Sequence, residues 1–185
     1  MKDYYWDRVS DIIGELLKKN ITPQMSILEI GFGSGHFLEW LNACGYEKLH
    51  GIEIREEQYL YTKEIFNNKG LGHIDLIYGN VLEHKNEYDA IFSTGLLQCL
   101  SQNDRENYMR HISSLADIAI FTVPKIDMDR NIGSKIDTGV AGCSEYSTGN
   151  ILYELSKCYS IVRAGIIDKN RTCQEEVFLY YICWR

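Results

Sequence analysis

The run Glu29-Ile30-Gly31-Phe32-Gly33-Ser34-Gly35 places three glycines at alternate positions. Such a stretch turns tightly and, lacking Cβ atoms, lets a ligand reach the main chain. A helix starting just beyond it would add free N–H groups to the same space. Spacing then selects among ligands. A dinucleotide turn, G-x-G-x-x-G, needs glycine where His36 stands, so Gly35 comes one residue early for a nicotinamide or a flavin. A phosphate loop needs Gly-Lys-Ser/Thr, which is absent. Glu53 follows Gly35 by 18 residues and lies between Ile52 and Ile54. A carboxylate ending an apolar strand can accept hydrogen bonds from both hydroxyls of a ribose; the alternative is a solvated strand end. In Gly79-Asn80-Val81 the Asn80 amide can pair with an adenine edge while Val81 and Leu82 pack on the ring; the alternative is an ordinary turn.

Other chemistries find less support. The six cysteines form no C-x-x-C pair, and no histidine stands at finger-like spacing from a pair. No metal site is expected, and the cysteines read as small buried apolar residues. His36, His84 and His111 are candidate bases, with His36 beside the glycine turn and His84 just past Asn80. Asp89 reads as a strand-entry residue. No catalytic group is singled out.

These residues need elements to position them. Apolar periodicity predicts an amphipathic helix over 7–19, then strands over 26–31, 49–54, 74–78, 88–94 and 117–123. Helices are expected over 35–44, over 56–68 with Tyr59, Leu60 and Ile65 inward, and over 102–115 behind a Ser101/Asp104 cap. A further helix runs from Ser147 or Thr148 to Cys158. Strands 159–167 and 176–184 form an antiparallel pair joined by a polar loop. Strands alternating with helices imply an α/β fold with a parallel sheet covered on both faces. Ligands then bind beyond the carboxyl ends of the strands, where strand order switches. The polar segment 125–146, longer than an ordinary connection, is expected to be a flap over the site or a surface insertion. Tyr4, Tyr5 and Trp6 either cap the site or pack the first helix down.

Composition bounds the partners. The 185 residues suit a single domain, 1–185, and 45% hydrophobic residues exclude a disordered chain. Lys plus Arg number 19 against 26 Asp plus Glu, a net charge of −7, which disfavours nucleic acid and anionic lipid. The opening Met1-Lys2-Asp3 begins no apolar signal core, and no apolar run approaches the roughly 18 residues of a membrane span. A cytoplasmic protein with reduced thiols is expected.

The run Ile27 to Gly35, with Glu53, Gly79-Asn80, Tyr88-Asp89-Ala90-Ile91 and Val123-Pro124, resembles the class I S-adenosylmethionine-dependent methyltransferases, over about residues 20–185. That resemblance implies a doubly wound, mostly parallel seven-stranded sheet with an antiparallel last strand and helices on both faces. It implies S-adenosylmethionine as cofactor, with Glu29, Gly31, Gly33 and Gly35 at its methionine part and Glu53 at the ribose. Asn80 and Val81 frame adenine, although many relatives carry Asp where Asn80 stands. Ser93, Thr94 and Gly95 lie beneath the sulfonium, and Phe32 and Ile54 complete the cofactor-binding set. Amide and base N-methyltransferases of this fold often carry an Asp/Asn-Pro-Pro-aromatic loop after the fourth strand; Ser93-Thr94-Gly95-Leu96 departs from it. The resemblance thus implies methyl transfer to a small-molecule acceptor. The competing classes are a nicotinamide or flavin oxidoreductase and a cofactor-binding protein without catalysis.

Overall fold

The computed structural model describes residues 13–124, 148–168 and 177–185. Helix α1 is described over residues 13–18, with Ile13 and Leu17 buried one turn apart. There follow β1 (Ile27–Ile30), α2 (His36–Ala43), β2 (Leu49–Glu53), α3 (Glu56–Asn68), β3 (Asp75–Tyr78) and β4 (Tyr88–Thr94). Next come α4 (Gln102–Leu115), β5 (Ala116–Pro124), α5 (Thr148–Ser156), β6 (Ile161–Asp168) and β7 (Val177–Trp184). Tyr4, Tyr5, Trp6, helix residues 7–12, the segment 125–146 and the loop residues 169–175 lie outside the described residues.

The sheet runs β3-β2-β1-β4-β5-β7-β6. Strands β1 to β5 pair in parallel, β7 is antiparallel to β5, and β6 is antiparallel to β7. All four residues of β1 are buried, as a central strand covered on both faces requires. Side-chain alternation divides the core between those faces. Leu28, Ile91 and Phe121 meet α4 and α5 through Tyr108, Met109, Ile112, Ile151 and Leu155. Ile27, Phe92 and Ile120 join Ile13 and Leu17 of α1, Phe37, Leu38 and Leu41 of α2, and Phe66 of α3. Helix α4 starts at the expected cap: Ser101 Oγ accepts from the Asp104 N–H at 3.3 Å and donates to Asp104 Oδ2 at 2.6 Å.

One helix face differs from the periodicity expectation. Leu60 was expected inward on α3 and is 55% exposed, while Thr62 and Phe66 are buried. Leu60 stands two residues from Thr62, roughly 200° round the helix, so the stripe that packs Thr62 and Phe66 turns Leu60 to solvent. Among the described residues no helix is long and apolar enough to cross a membrane.

Candidate functional site

Strand order reverses between β1 and β4, and in open α/β sheets the space beyond the carboxyl ends of the strands at such a reversal is where a ligand cleft forms. The ladder continues one residue past these strands. The Gly31 N–H donates to Ile52 C=O at 2.8 Å, Gly79 N–H to Glu53 C=O at 3.0 Å, and Gly95 N–H to Thr122 C=O at 3.0 Å. Glycines thus follow β1, β3 and β4 along one edge of the sheet.

Gly31, Gly33 and Gly35 all have positive φ, at 71°, 52° and 74°, a region that side chains with Cβ avoid. Their surroundings differ. A Cβ at Gly31 or Gly33 would meet nothing within 4 Å, whereas one at Gly35 would come within 2.6 Å of the Phe66 ring. Gly31 and Gly33 therefore border open volume, and Gly35 serves close packing of the turn on α3. Phe32 is turned inward against Gly51, so only its main chain belongs to the turn. Two side chains clasp Gly33: its N–H donates to Glu53 Oε2 at 3.2 Å, and its carbonyl accepts from the Thr62 hydroxyl at 2.6 Å.

Glu53 is only 3% exposed although it ends β2. Its other oxygen, Oε1, accepts from the Arg55 N–H at 3.0 Å and Arg55 Nε at 3.3 Å. Glu29, on β1, is equally buried, and its Oε2 has no hydrogen-bond partner among the described residues. Burial first, and then the charge of Glu53, hold its carboxyl well above the usual glutamate range, against the N–H of Leu38 in the first turn of α2.

The next strand ends supply apolar surface. Ile54 is 62% exposed after Glu53, and Leu82 is half-exposed after Val81. Val81 itself is buried, and Asn80 Oδ1 caps the turn Val81–Glu83 by accepting from the Leu82 N–H at 3.0 Å. Ser93 is buried too: it shares the Ile91 face of β4 and points at Tyr108, so only its main chain borders the cleft.

Two of the candidate bases are elsewhere. His84 Nε2 pairs with the Tyr88 hydroxyl at 2.9 Å, and the His84 carbonyl accepts from His111 Nε2 at 3.0 Å. Tyr88 opens β4, and seven residues of strand put it about 20 Å from the cleft edge. His36 heads α2, beside the turn. Asp89 is a strand-entry residue, accepting from Ser26 N at 2.7 Å and Ser26 Oγ at 3.0 Å.

A family model described as a methyltransferase domain matches residues 27–117, the stretch from β1 into the start of β5. Residues 27–117, just under half of the chain, thus carry a methyltransferase domain, as the resemblance to the class I methyltransferases implied. Among solved structures, magnesium protoporphyrin IX methyltransferase from Synechocystis PCC 6803 with bound SAH aligns at TM-score 0.74 and 18% identity, over 97% of this chain and 83% of that one. A S-adenosylmethionine-dependent methyltransferase from Clostridium acetobutylicum ATCC 824 aligns at TM-score 0.72 and 13% identity, over 97% and 91%. EEF1A lysine methyltransferase 2 of Danio rerio is 31% identical over 98 residues, 50% of this chain. The chain spans 42% of the length of that curated relative.

Sequence reasoning missed Thr62 and Arg55. Thr62 carried a readable signal, being three residues from Tyr59 and four from Phe66 on one helical stripe. Arg55 stands two residues past Glu53, and the turn that folds it back is a tertiary feature.

Proposed function

We propose that this chain works as one methyltransferase domain, residues 1–185, that transfers a methyl group from S-adenosylmethionine to a small-molecule acceptor. The observation that carries the reading is the buried Glu53 carboxylate beside the open face of the glycine turn. The residues present fit that cofactor. Gly31 and Gly33 leave its methionine part room against the main chain, and the unpartnered Glu29 oxygen suits an ammonium group. Glu53 accepts from the ribose hydroxyls. Ile54 and Leu82 offer apolar faces to adenine, and the Asn80 amide nitrogen, which has no partner among the described residues, donates to its edge. Thr94, Gly95 and the Ser93 main chain lie beneath the reacting centre.

When bound, S-adenosylmethionine supplies both an activated methyl group and its own leaving group. The chain needs no covalent nucleophile. Its task is to align acceptor and methyl, an effect worth on the order of 7–11 kcal/mol at best. His36 can take a proton from an acceptor hydroxyl at the mouth of the turn.

The small-molecule reading rests on Ser93-Thr94-Gly95-Leu96, which holds neither a carboxylate for an ammonium acceptor nor an aromatic ring for a base. The net charge of −7 disfavours nucleic acid. A protein lysine is the second reading, favoured by the 31% identity over 98 aligned residues with the Danio rerio lysine methyltransferase. Incubation with S-adenosylmethionine and either a metabolite pool or a protein fraction separates them. S-adenosylhomocysteine should form with metabolites. Formation with protein alone selects the lysine reading, and binding without formation in either selects a cofactor-binding protein without catalysis.

A further inference from the structure

Glu29 and Glu53 put two buried carboxyl groups beneath one glycine turn, and their partners are unequal. Glu53 receives the N–H groups of Gly33 and Arg55 and the Nε of Arg55, which reaches in from a side chain 59% exposed. Glu29 receives the Leu38 N–H, and its Oε2 receives nothing. No cation among the described residues answers it. From β2 the group facing it is Glu53, itself an acid. From β4 the residue in register with it is Phe92. Helix α2 brings the Leu38 N–H; of its own ionisable groups, Glu39 is engaged at 2.7 Å by Lys69, the residue that caps the end of α3, and His36 stands at the helix start. A buried carboxylate with one donor, no cation and an acid beside it is less stable than the neutral carboxylic acid.

We propose that cofactor binding is proton-linked: Glu29 is a neutral carboxylic acid in the free protein and releases its proton to solvent when S-adenosylmethionine binds. This rests on reading the cleft as a S-adenosylmethionine site. The O–H bond of Glu29 breaks, the electron pair stays on the carboxylate, and a buffer base takes the proton. The bound ligand brings an ammonium, a sulfonium and one carboxylate, a net charge of +1, to a turn that holds two acids and one outlying cation, so with its positive groups toward the turn the second carboxylate becomes the stable form. Burial pushes the Glu29 carboxyl in the same direction before binding. S-adenosylhomocysteine keeps the ammonium and lacks the sulfonium charge, so it should release less of the proton.

Isothermal titration of the full chain with S-adenosylmethionine at neutral pH, in phosphate and in Tris, reads the proton directly. These buffers differ in ionisation enthalpy, so the difference in heat counts protons. The expected result is release of up to about one proton, with affinity rising by up to about tenfold per pH unit below the pKa of free Glu29. Glu29→Gln should bind with equal heats in both buffers. Saturable wild-type binding with equal heats overturns the proposal, as does undiminished release in Glu29→Gln. No binding at all overturns the reading of the site and this inference with it. Should Glu29→Gln not fold, infrared difference spectra of the wild type decide: the carbonyl stretch of a protonated carboxyl group should disappear on adding the cofactor, and an unchanged spectrum rejects the idea.

Discussion

Glu53 and Gly33 meet through one hydrogen bond, yet their substitutions should fail differently. Glu53→Ala removes a charged acceptor and should weaken S-adenosylhomocysteine binding by about 1.5–3 kcal/mol in calorimetry. The same change frees the N–H groups of Gly33 and Arg55. An analogue without ribose hydroxyls therefore makes the decisive comparison: a much smaller loss locates the effect at the ribose, and an equal loss locates it in the turn. Gly33→Val fills open volume and strains a φ of 52°, at about 1–2 kcal/mol. Its melting curve should fall modestly while cofactor binding disappears. Gly35→Ala adds overpacking against Phe66 to similar strain, about 1–3 kcal/mol more, so its melting temperature should fall further than that of Gly33→Val. If the two glycines respond alike, the division between open and packed faces of the turn is wrong.

Elements are joined by a pair that no motif announced. Arg105 of α4 and Glu154 of α5 are 1% and 2% exposed, with Nε to Oε2 at 3.0 Å and Nη2 to Oε1 at 3.2 Å. Arg105 Nη1 also donates to the Leu100 carbonyl at 3.0 Å, holding the loop that leads from the cleft into α4. Removing one partner of the pair leaves a buried charge without this counter-ion. Glu154→Leu should cost roughly 3–5 kcal/mol in denaturant unfolding, whereas Arg105→Met with Glu154→Leu should lie near the parent. A double variant as unstable as the single one would show that the pair contributes through packing. Helices that bury a simple stripe, such as α4, were legible from periodicity and cap. Helix α3 was less so, because its inward stripe carries Thr62, a residue that apolar patterning discounts. His84 was read near the site because it follows Asn80 by four residues, but the chain there descends to the opposite edge of the sheet.

At the scale of the whole molecule, Glu29 should leave a mark on stability. Its pKa is raised in the folded state, so the native protein binds this proton more tightly than the unfolded chain. The contribution is fully present below the ordinary glutamate pKa and is lost as pH rises through the raised value. The free protein should therefore melt lower as pH climbs across that window, by roughly 2–4 °C for each kcal/mol lost in a domain of this size. Glu29→Gln should flatten that slope, and a slope unchanged in the variant would assign it to other groups. The sequence by itself determined the α/β alternation, the antiparallel final pair, the glycine turn and the acid at the end of β2. Each of these is written in local spacing: strand period, a cap, alternate glycines, a carboxylate between two isoleucines. Tertiary structure alone decided that Gly35 packs while Gly31 and Gly33 face open volume, that Phe32 and Ser93 turn into the core, and that Thr62 and Arg55 bond to Gly33 and Glu53. Spacing along one strand or turn says how a side chain alternates, but not which neighbour covers it. That depends on elements such as α3 and α4, which reach the site only once the sheet has assembled.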